Sequence, residues 1–212
     1  MSTTNERGTA LITGASSGIG AVYAERLAQR GYDLLLVARD GARLQALAAR
    51  LSEAFGVQVE VLKADLTDKA DVQAVSQRLR SDKAVSVLVN NAGMAMNGTL
   101  SEADPETVER MILLNVVALT HLSAAAAANF TAAGRGAIIN IASVVALAPE
   151  MFNAVYSATK AYVLSLSQTL NGEVSALGVQ VQAVLPGVTR TEIWERSGMD
   201  ESALPPSMIM EV

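Results

Sequence analysis

The sequence predicts an α/β fold in which helices cover both faces of a parallel sheet. Six short apolar runs alternate along the chain with longer segments of helical periodicity. Most of the runs are apolar over several consecutive residues rather than at every second residue, which is typical of strands buried on both faces. Strands separated by helices are joined by crossover connections, and these connections make neighbouring strands parallel. We therefore expect a doubly wound parallel sheet.

The apolar runs define the predicted strands, and the segments between them define five main helices. The predicted strands span residues 8–13, 33–38, 57–63, 85–90, 137–142 and 179–185. The helices that follow the first five strands are expected to end near residues 30, 54, 80, 130 and 177. Asp40 is a capping residue, Pro105 a first helical residue, and Gly31 and Gly178 are C-terminal stops. Pro186 and Gly187 end the sixth strand.

Composition limits the possible classes of protein. The 212 residues are expected to form one domain, 1–212, because half of them are hydrophobic and only 17% are charged. The net charge of −5 does not favour a nucleic acid or an anionic membrane as a partner. Without cysteine, disulfides and thiolate catalysis are excluded. The single histidine, His121, lies in an apolar helical run, where packing or capping is the usual role, so no metal site is expected.

The sequence shows no targeting or membrane segment. Residues 1–7 are polar and contain no apolar core of a signal peptide. The longest apolar run, 116–128, is interrupted by polar residues and is shorter than the roughly 20 residues that span a bilayer. A cytoplasmic protein is the expectation.

Tyr156 and Lys160 are four residues apart in a predicted helix and therefore lie on one face of it. An ammonium close to a phenol favours the phenolate and lowers the pKa of the tyrosine, which suits it for proton transfer near neutral pH. Taken alone, this spacing is more typical of a surface pair. Here Ser143 stands upstream at the end of a predicted strand, and a glycine-rich turn opens the chain.

The glycine-rich turn has glycines at positions 14, 18 and 20, between the first strand and the first helix. Glycine lets a pyrophosphate approach the backbone closely, and the helix N-terminus offers free N–H groups. The spacing differs from the Gly-x-Gly-x-x-Gly of the common dinucleotide fingerprint, so the turn by itself is weak evidence for a nucleotide site.

Together these motifs resemble the short-chain dehydrogenase/reductase family over residues 8–193. The resemblance lies in Thr13–Gly20 (TGASSGIG), Asn90–Gly93 (NNAG), Pro186–Gly187 and the ordered set Asn115, Ser143, Tyr156 and Lys160. It implies a Rossmann-type fold and hydride transfer between a nicotinamide cofactor and a carbonyl or alcohol.

The resemblance also implies a role for each catalytic residue. Tyr156 exchanges a proton with the substrate oxygen, and Ser143 donates a hydrogen bond to that oxygen. Lys160 lowers the pKa of Tyr156 and binds the nicotinamide ribose. Asn115 holds a water that links Lys160 to solvent; read alone, Asn115 is also compatible with a polar residue that satisfies a local helix defect.

NADP(H) is expected rather than NAD(H). Family members that prefer NAD share an acidic residue at the end of the second strand. At that position this chain has Ala38, and the next residue is Arg39. Arg39 can bind a 2′-phosphate, helped by Ser16, although it could also be a solvated loop residue.

Further cofactor contacts are implied along the strand ends. Asp65 is expected at the adenine amino group, Asn90 and Gly93 at the adenosine ribose, and residues 188–191 at the nicotinamide carboxamide. Thr189 stands where the family usually has Ile or Val. The full expected set is Gly14, Ser16, Ser17, Gly18, Ile19, Gly20, Arg39, Asp65, Leu66, Asn91, Ala92, Gly93, Tyr156, Lys160, Pro186, Gly187, Thr189 and Thr191.

The substrate lid begins at about residue 188, and the residues around it predict an apolar pocket. Methionines suit adaptable binding, although they could equally fill gaps in packing. The pocket residues expected are Met94, Met96, Val144, Val145, Met151, Phe152, 191–194, Met199, Met208 and Met210. Family members usually continue with a helix and a seventh strand, so this chain is expected either to lack that strand or to be a fragment.

Several functional hypotheses remain open at this stage. The first is an NADP(H)-dependent carbonyl reductase or alcohol dehydrogenase for a small or medium apolar substrate. A 3-oxoacyl reductase is the nearest alternative enzyme, while a non-catalytic NADP(H)-binding redox sensor and an inactive truncated subunit are the alternatives outside catalysis. The two long helices resemble the family's dimer-forming bundle, so a homodimer or homotetramer is expected.

Overall fold

A computed structural model describes residues 7–198 and 209–212 of the chain. Six strands of this part form one sheet, in the spatial order β3–β2–β1–β4–β5–β6, and every pair of neighbours is parallel. The strands are β1 (Thr9–Thr13), β2 (Asp33–Ala38), β3 (Val59–Lys63), β4 (Val85–Asn90), β5 (Gly136–Ile141) and β6 (Val179–Val184). This confirms the predicted Rossmann-type α/β fold, and no seventh strand joins the sheet within the described residues.

Helices cover both faces of the sheet. They are α1 (Gly18–Gln29), α2 (Gly41–Phe55), α3 (Lys69–Ser81), α4 (Pro105–Ile112), α5 (Leu119–Ala133), α6 (Ala154–Val174) and α7 (Ile193–Arg196). One core cluster joins α1 and α2 to one face, and a second joins α3, α5 and the end of α6 to the other. The order of the strands reverses between β1 and β4, where α/β folds form their ligand crevice at the carboxyl ends of the strands.

Local signals set the helix ends as expected. The Asp40 carboxylate accepts a hydrogen bond from the backbone N–H of Arg43 at 3.0 Å, which caps α2. Pro105 is the first residue of α4, and Gly178, with φ of 82°, ends the short helical turn after α6. The chief difference from the predicted elements is in the helix after β4. It was expected to be one continuous helix, but it contains a π-helical segment at Leu113–Ala118.

The helical stretch Pro105–Ala133 is longer than the apolar run found in the sequence. Its 29 residues include a window of mean hydropathy 1.8, so by length and composition alone it could cross a bilayer, a property that core helices of globular proteins share. Half of that window is buried inside the protein. Leu122, Ala126 and Phe130 pack in the core with β-strand and α3 side chains, as in the core helix of a globular protein.

Candidate active site

The glycine-rich turn places an uncapped helix N-terminus at the crevice. Gly14 and Gly18 have φ of 63° and 54°, a region that residues with a Cβ rarely adopt. A Cβ on Gly20 would collide with the carbonyl oxygen of Gly14, so the turn can close only without a side chain there. Ser17, the N-cap residue of α1, makes no capping hydrogen bond with its side chain. The first N–H groups of α1 therefore suit an anionic ligand.

Thr13 and Asn91 connect the ends of β1 and β4 beneath this turn. The Thr13 hydroxyl accepts hydrogen bonds from the backbone N–H groups of Asn91 and Ala92, both at 3.0 Å. The Asn91 amide nitrogen donates to the carbonyls of Thr13 and Gly14, at 3.0 and 3.1 Å. Asn91 thus holds the glycine-rich turn in place. Thr13 was not predicted as a site residue, although it opens the matching motif.

Asn90 does not line the ribose site as predicted. Its side chain is buried and donates hydrogen bonds to Ser123 at 3.0 Å and to Asn140 at 2.9 Å. Asn140 in turn donates to Ser167 at 3.0 Å. These contacts join β4 and β5 to α5 and α6 inside the core, because the side chain at this register position faces away from the crevice.

Asp65 and Arg39 lie on the other side of the crevice, after β3 and β2. Arg39 is exposed, and Leu66 is buried beside Asp65. Burial acts to raise the pKa of Asp65. Hydrogen bonds from the backbone and hydroxyl of Thr67, and the positive charges of Arg39 and Arg110, act in the opposite direction. The second group of effects is larger, so the pKa of Asp65 is lowered. Arg39 and Asp65 follow the neighbouring strands β2 and β3 at the same edge of the sheet.

Ser143, Tyr156 and Lys160 come together at the carboxyl end of β5. Ser143 is the second residue after β5, and Tyr156 and Lys160 lie in the first two turns of α6. Asn153, which was not predicted, caps α6 by accepting a hydrogen bond from the N–H of Tyr156 at 2.9 Å. The Lys160 Nζ lies 5.5 Å from the centre of the Tyr156 ring and donates a 2.8 Å hydrogen bond to the carbonyl of Ile141.

The expected lowering of the Tyr156 pKa by Lys160 is wrong for this structure. Burial raises the pKa of Tyr156, and a hydrogen bond with Ser143 opposes this only in part. Lys160 is 6% exposed, and burial lowers its pKa to about 8. Both side chains are shielded from water, which favours their neutral forms. The phenol is therefore protonated at neutral pH, ready to act as an acid.

The buried ammonium of Lys160 gives stability a defined pH dependence. Its pKa is lowered from 10.5 to about 8 on folding, so the unfolded chain binds more protons between these values and stability rises with pH there. As the pH rises from about 8 to 10.5, we expect the unfolding free energy of the wild type to increase by on the order of 3 kcal/mol. The unfolding free energy of Lys160→Met should not show this increase. Denaturant titrations of both proteins at several pH values test this; a difference that stays constant with pH would contradict it.

Asn115 lies in the π-helical segment and fixes the loop after β4. Its side-chain oxygen accepts from the Met94 N–H at 3.0 Å, while its nitrogen donates to the Met94 carbonyl at 2.9 Å and to Thr159 at 3.1 Å. A Cβ on Gly93 would lie 3.3 Å from Asn115 and 3.7 Å from the Lys160 Nζ. The structure thus brings Asn115 close to the catalytic helix. Its role in holding a water stays a prediction.

The segment after β6 crosses back to the glycine-rich turn. Pro186 accepts a hydrogen bond from the N–H of Val144 at 3.1 Å, which joins the segment to the loop after β5. Thr189 is buried and forms a parallel bridge with Met210. A Cβ on Gly18 would lie 3.2 Å from the methyl group of Thr191, so the start of the lid packs against the turn.

Apolar residues precede Tyr156 on the loop after β5, and one of them contacts its ring. Phe152 contacts it edge to face, with ring centres 5.1 Å apart. Met96 and Val145 are buried, whereas Val144 and Met151 are 41% and 65% exposed, and Leu147, which was not predicted, is 72% exposed. The predicted pocket residues Met199 and Met208, and the side chain of Trp194, lie outside the described part of the structure.

No metal site is visible among the described residues. No group of three or more His, Cys, Asp or Glu side chains comes together there to hold an ion. His121 is exposed on α5 rather than packed, so the structure gives it neither a packing role nor a place at the site.

Comparison with known proteins agrees with the geometry. A family model described as short chain dehydrogenase matches residues 8–202. A short-chain dehydrogenase from Sphingobium yanoikuyae, solved in complex with NADPH, is 58% identical, with a TM-score of 0.93, over 96% of this chain and 79% of that one. A bulky-bulky ketone specific alcohol dehydrogenase from Comamonas testosteroni is 51% identical, with a TM-score of 0.85, over 86% and 73%.

A more distant relative acts on a different substrate class. The very-long-chain 3-oxoacyl-CoA reductase of Anas platyrhynchos is 30% identical over 188 residues, which are 87% of this chain and 60% of that protein. The chain therefore spans little more than half of that relative.

Proposed function

The chain belongs to the short-chain dehydrogenase family, and we propose that it transfers a hydride between NADP(H) and an apolar ketone or the corresponding secondary alcohol. The observation that carries this proposal is the convergence of Ser143, Tyr156 and Lys160 at the end of β5, next to the crevice at the carboxyl ends of β1 and β4. Hydride transfer needs a proton donor for the substrate oxygen on one side and a dinucleotide site on the other, and this arrangement offers both.

The residues of the crevice fit a dinucleotide. The uncapped N-terminus of α1 suits a pyrophosphate. Gly14 and Gly20 keep the turn tight, since a Cβ at either position would collide with Asn91. Asp65 has a lowered pKa and so stays ionised as an acceptor. When bound, the reduced cofactor supplies the hydride.

The protein's own residues handle the proton and the developing charge. In the reducing direction, the carbonyl carbon gains a hydride and the Tyr156 phenol gives its proton to the oxygen, which yields the alcohol. The raised pKa of Tyr156 keeps this proton available at neutral pH. Ser143, already hydrogen-bonded to Tyr156, is placed to donate to the same oxygen. Lys160 adds positive charge near the phenolate that remains, as long as the pH is below its pKa of about 8.

Arg39 selects NADP(H) in this proposal. It is exposed directly after β2, where no carboxylate stands to bind the ribose hydroxyls, because residue 38 is alanine. The NADPH complex of the Sphingobium relative supports the same choice. We expect Arg39→Ala to weaken NADPH binding about 10- to 100-fold, since a charge-assisted contact to phosphate contributes roughly 1.5–3 kcal/mol. NADH binding should change less than about twofold, because NADH lacks the 2′-phosphate.

Fluorescence titration with both cofactors measures this change. Arg30→Ala is the matched control, because Arg30 is also exposed but lies at the far end of α1, away from the crevice. An equal loss of NADPH and NADH affinity in Arg39→Ala would contradict the proposed role of Arg39.

The substrate is proposed to be an apolar ketone. Phe152 contacts Tyr156, and the loop after β5 that leads to it exposes the apolar side chains of Val144, Leu147 and Met151. Glu150 is the one charged residue of this loop. The Comamonas relative that acts on bulky ketones supports this class. A 3-oxoacyl thioester is the second candidate, supported by the Anas relative. This candidate is less favoured because the carrier of a 3-oxoacyl thioester bears phosphate groups, which bind best to a positively charged surface. The net charge of this chain is −5.

An oligomer is also proposed. Ile112, Val117 and Tyr162 are 41%, 37% and 39% exposed on the helices from α4 to α6. Exposed apolar side chains on neighbouring helices suit packing against a second copy. A homodimer or homotetramer is therefore expected, and light scattering that shows only monomer at micromolar concentration would contradict it.

A further inference from the structure

One ion pair joins two parts of the crevice that are far apart in sequence. The Arg43 guanidinium, in the first turn of α2, donates from one nitrogen to both carboxylate oxygens of Glu192, at 2.7 and 2.9 Å. The two residues are 149 positions apart. We call this pair the Arg43–Glu192 clasp. Asp40, which caps α2, lies 3.5 Å from the same guanidinium and helps to hold it at the helix start.

The segment that ends in Glu192 crosses the carboxyl ends of the strands. It leaves β6 at Leu185, yet Thr191 packs on Gly18 after β1, and Glu192 reaches α2 after β2. From β6 to β2 the sheet extends over four strand spacings, about 19 Å. Residues 185–192, called here the crossing segment, cover about 23 Å when extended. The backbone bends at Val188 and Thr191, and the long side chains of Glu192 and Arg43 span the remaining distance to α2. On the way the segment passes over the N-terminus of α1, where Thr191 meets Gly18.

A dinucleotide that follows the crevice must lie between the strand ends and the crossing segment. Its pyrophosphate site is at the N-terminus of α1, and that is where Thr191 makes its contact. Release of the dinucleotide then requires the crossing segment to lift. The clasp holds the far end of this segment, and its near end is held by the β6 junction and by the hydrogen bond between Pro186 and Val144.

We propose that Arg43 and Glu192 are positioning residues that retain the dinucleotide by fastening the crossing segment to α2. This inference rests on the proposed function, because it needs a dinucleotide in the crevice. The clasp acts on the release rate of either cofactor, since Glu192 contacts the protein rather than the 2′-phosphate. It differs in this respect from Arg39, which distinguishes the two cofactors.

The test is a stopped-flow measurement of NADPH and NADH dissociation. Glu192→Gln and Arg43→Gln should each speed up release of NADPH by about two- to fivefold, the range for a solvent-exposed ion pair. Glu192→Gln should have the same effect on NADH. The double variant should release NADPH no faster than the single variants, because both substitutions break the same contact. The charge exchange Arg43→Glu with Glu192→Arg should restore slow release.

A second ion pair on α2 provides the matched control. Arg50 binds Glu25 of α1 at 3.0 Å with comparable exposure, but it touches neither the crossing segment nor the crevice. Glu25→Gln should leave both release rates unchanged. The rate in the wild type should also rise with ionic strength more steeply than in the double variant, which a purely structural role would not produce.

Three results would overturn the proposal. Slower NADPH release from Glu192→Gln would mean that Glu192 competes with the cofactor for Arg43. Additive effects in the double variant would mean that the two residues act separately. An effect of Glu25→Gln as large as that of Glu192→Gln would mean that any loss of an ion pair on α2 suffices. Failure of the wild type to bind either cofactor would instead contradict the proposed function and, with it, the clasp.

Discussion

Replacing Tyr156 with phenylalanine is expected to lower kcat for ketone reduction by about 1,000-fold, while NADPH affinity stays within about threefold. The substitution removes only the phenolic oxygen, which supplies the proton to the substrate in the proposed mechanism. The ring that packs against Phe152 remains, so the helix and the crevice should keep their shape. Steady-state kinetics with a ketone, together with NADPH titration, separates the loss of chemistry from a loss of binding.

A second tyrosine on the same helix provides the control. Tyr162 lies six residues further along α6, is 39% exposed, and shares a 2.9 Å hydrogen bond with Thr120 away from the crevice. Tyr162→Phe should retain kcat within about twofold. Comparable activity in Tyr156→Phe and Tyr162→Phe would remove Tyr156 from the mechanism.

Replacing Gly20 with alanine is expected to weaken NADPH binding at least about 100-fold and to destabilise the protein by roughly 1–3 kcal/mol. The added Cβ would collide with the carbonyl oxygen of Gly14 and would press on the side-chain nitrogen of Asn91. Neither atom can move freely, since Asn91 is hydrogen-bonded to the carbonyls of Thr13 and Gly14. The turn would have to open, and the N-terminus of α1 would move away from the pyrophosphate.

Gly172→Ala is the control for this substitution. Gly172 lies inside α6, and a Cβ added there meets no atom within 4 Å. Alanine should stabilise this position by roughly 0.5–1 kcal/mol, because glycine is the poorer helix former. Denaturant unfolding and NADPH titration of both variants distinguish the two glycines, and equal affinity in Gly20→Ala and the wild type would show that the turn does not bind the pyrophosphate.

The fold was predictable because its signals are local. Each strand is rich in apolar, mostly β-branched or leucine residues, and the helix limits depend on single residues such as Asp40 and Pro105, whose caps need no knowledge of the rest of the chain. The π-helical segment around Asn115 was not predictable, because no composition or spacing rule marks it. It becomes visible only with the contacts of Asn115 to Met94 and Thr159.

The closeness of Tyr156 and Lys160 was predictable, but the electrostatics around them were not. The spacing of Tyr156 and Lys160 correctly indicates that they are neighbours, as their 5.5 Å separation shows. Spacing says nothing about burial, however, and burial raises the pKa of Tyr156 against expectation. The clasp between Arg43 and Glu192 was equally out of reach, because local reasoning cannot pair charges 149 residues apart.

The most direct test is to mix the protein with NADPH and an aryl alkyl ketone and to follow the loss of NADPH together with the formation of the alcohol. We expect one molecule of alcohol to form for each NADPH oxidised. The rate should fall by about 1,000-fold in Tyr156→Phe, and there should be little activity when NADH replaces NADPH. NADPH binding without turnover, across a series of apolar ketones and a 3-oxoacyl thioester, would contradict the proposed function and would favour a non-catalytic cofactor-binding protein.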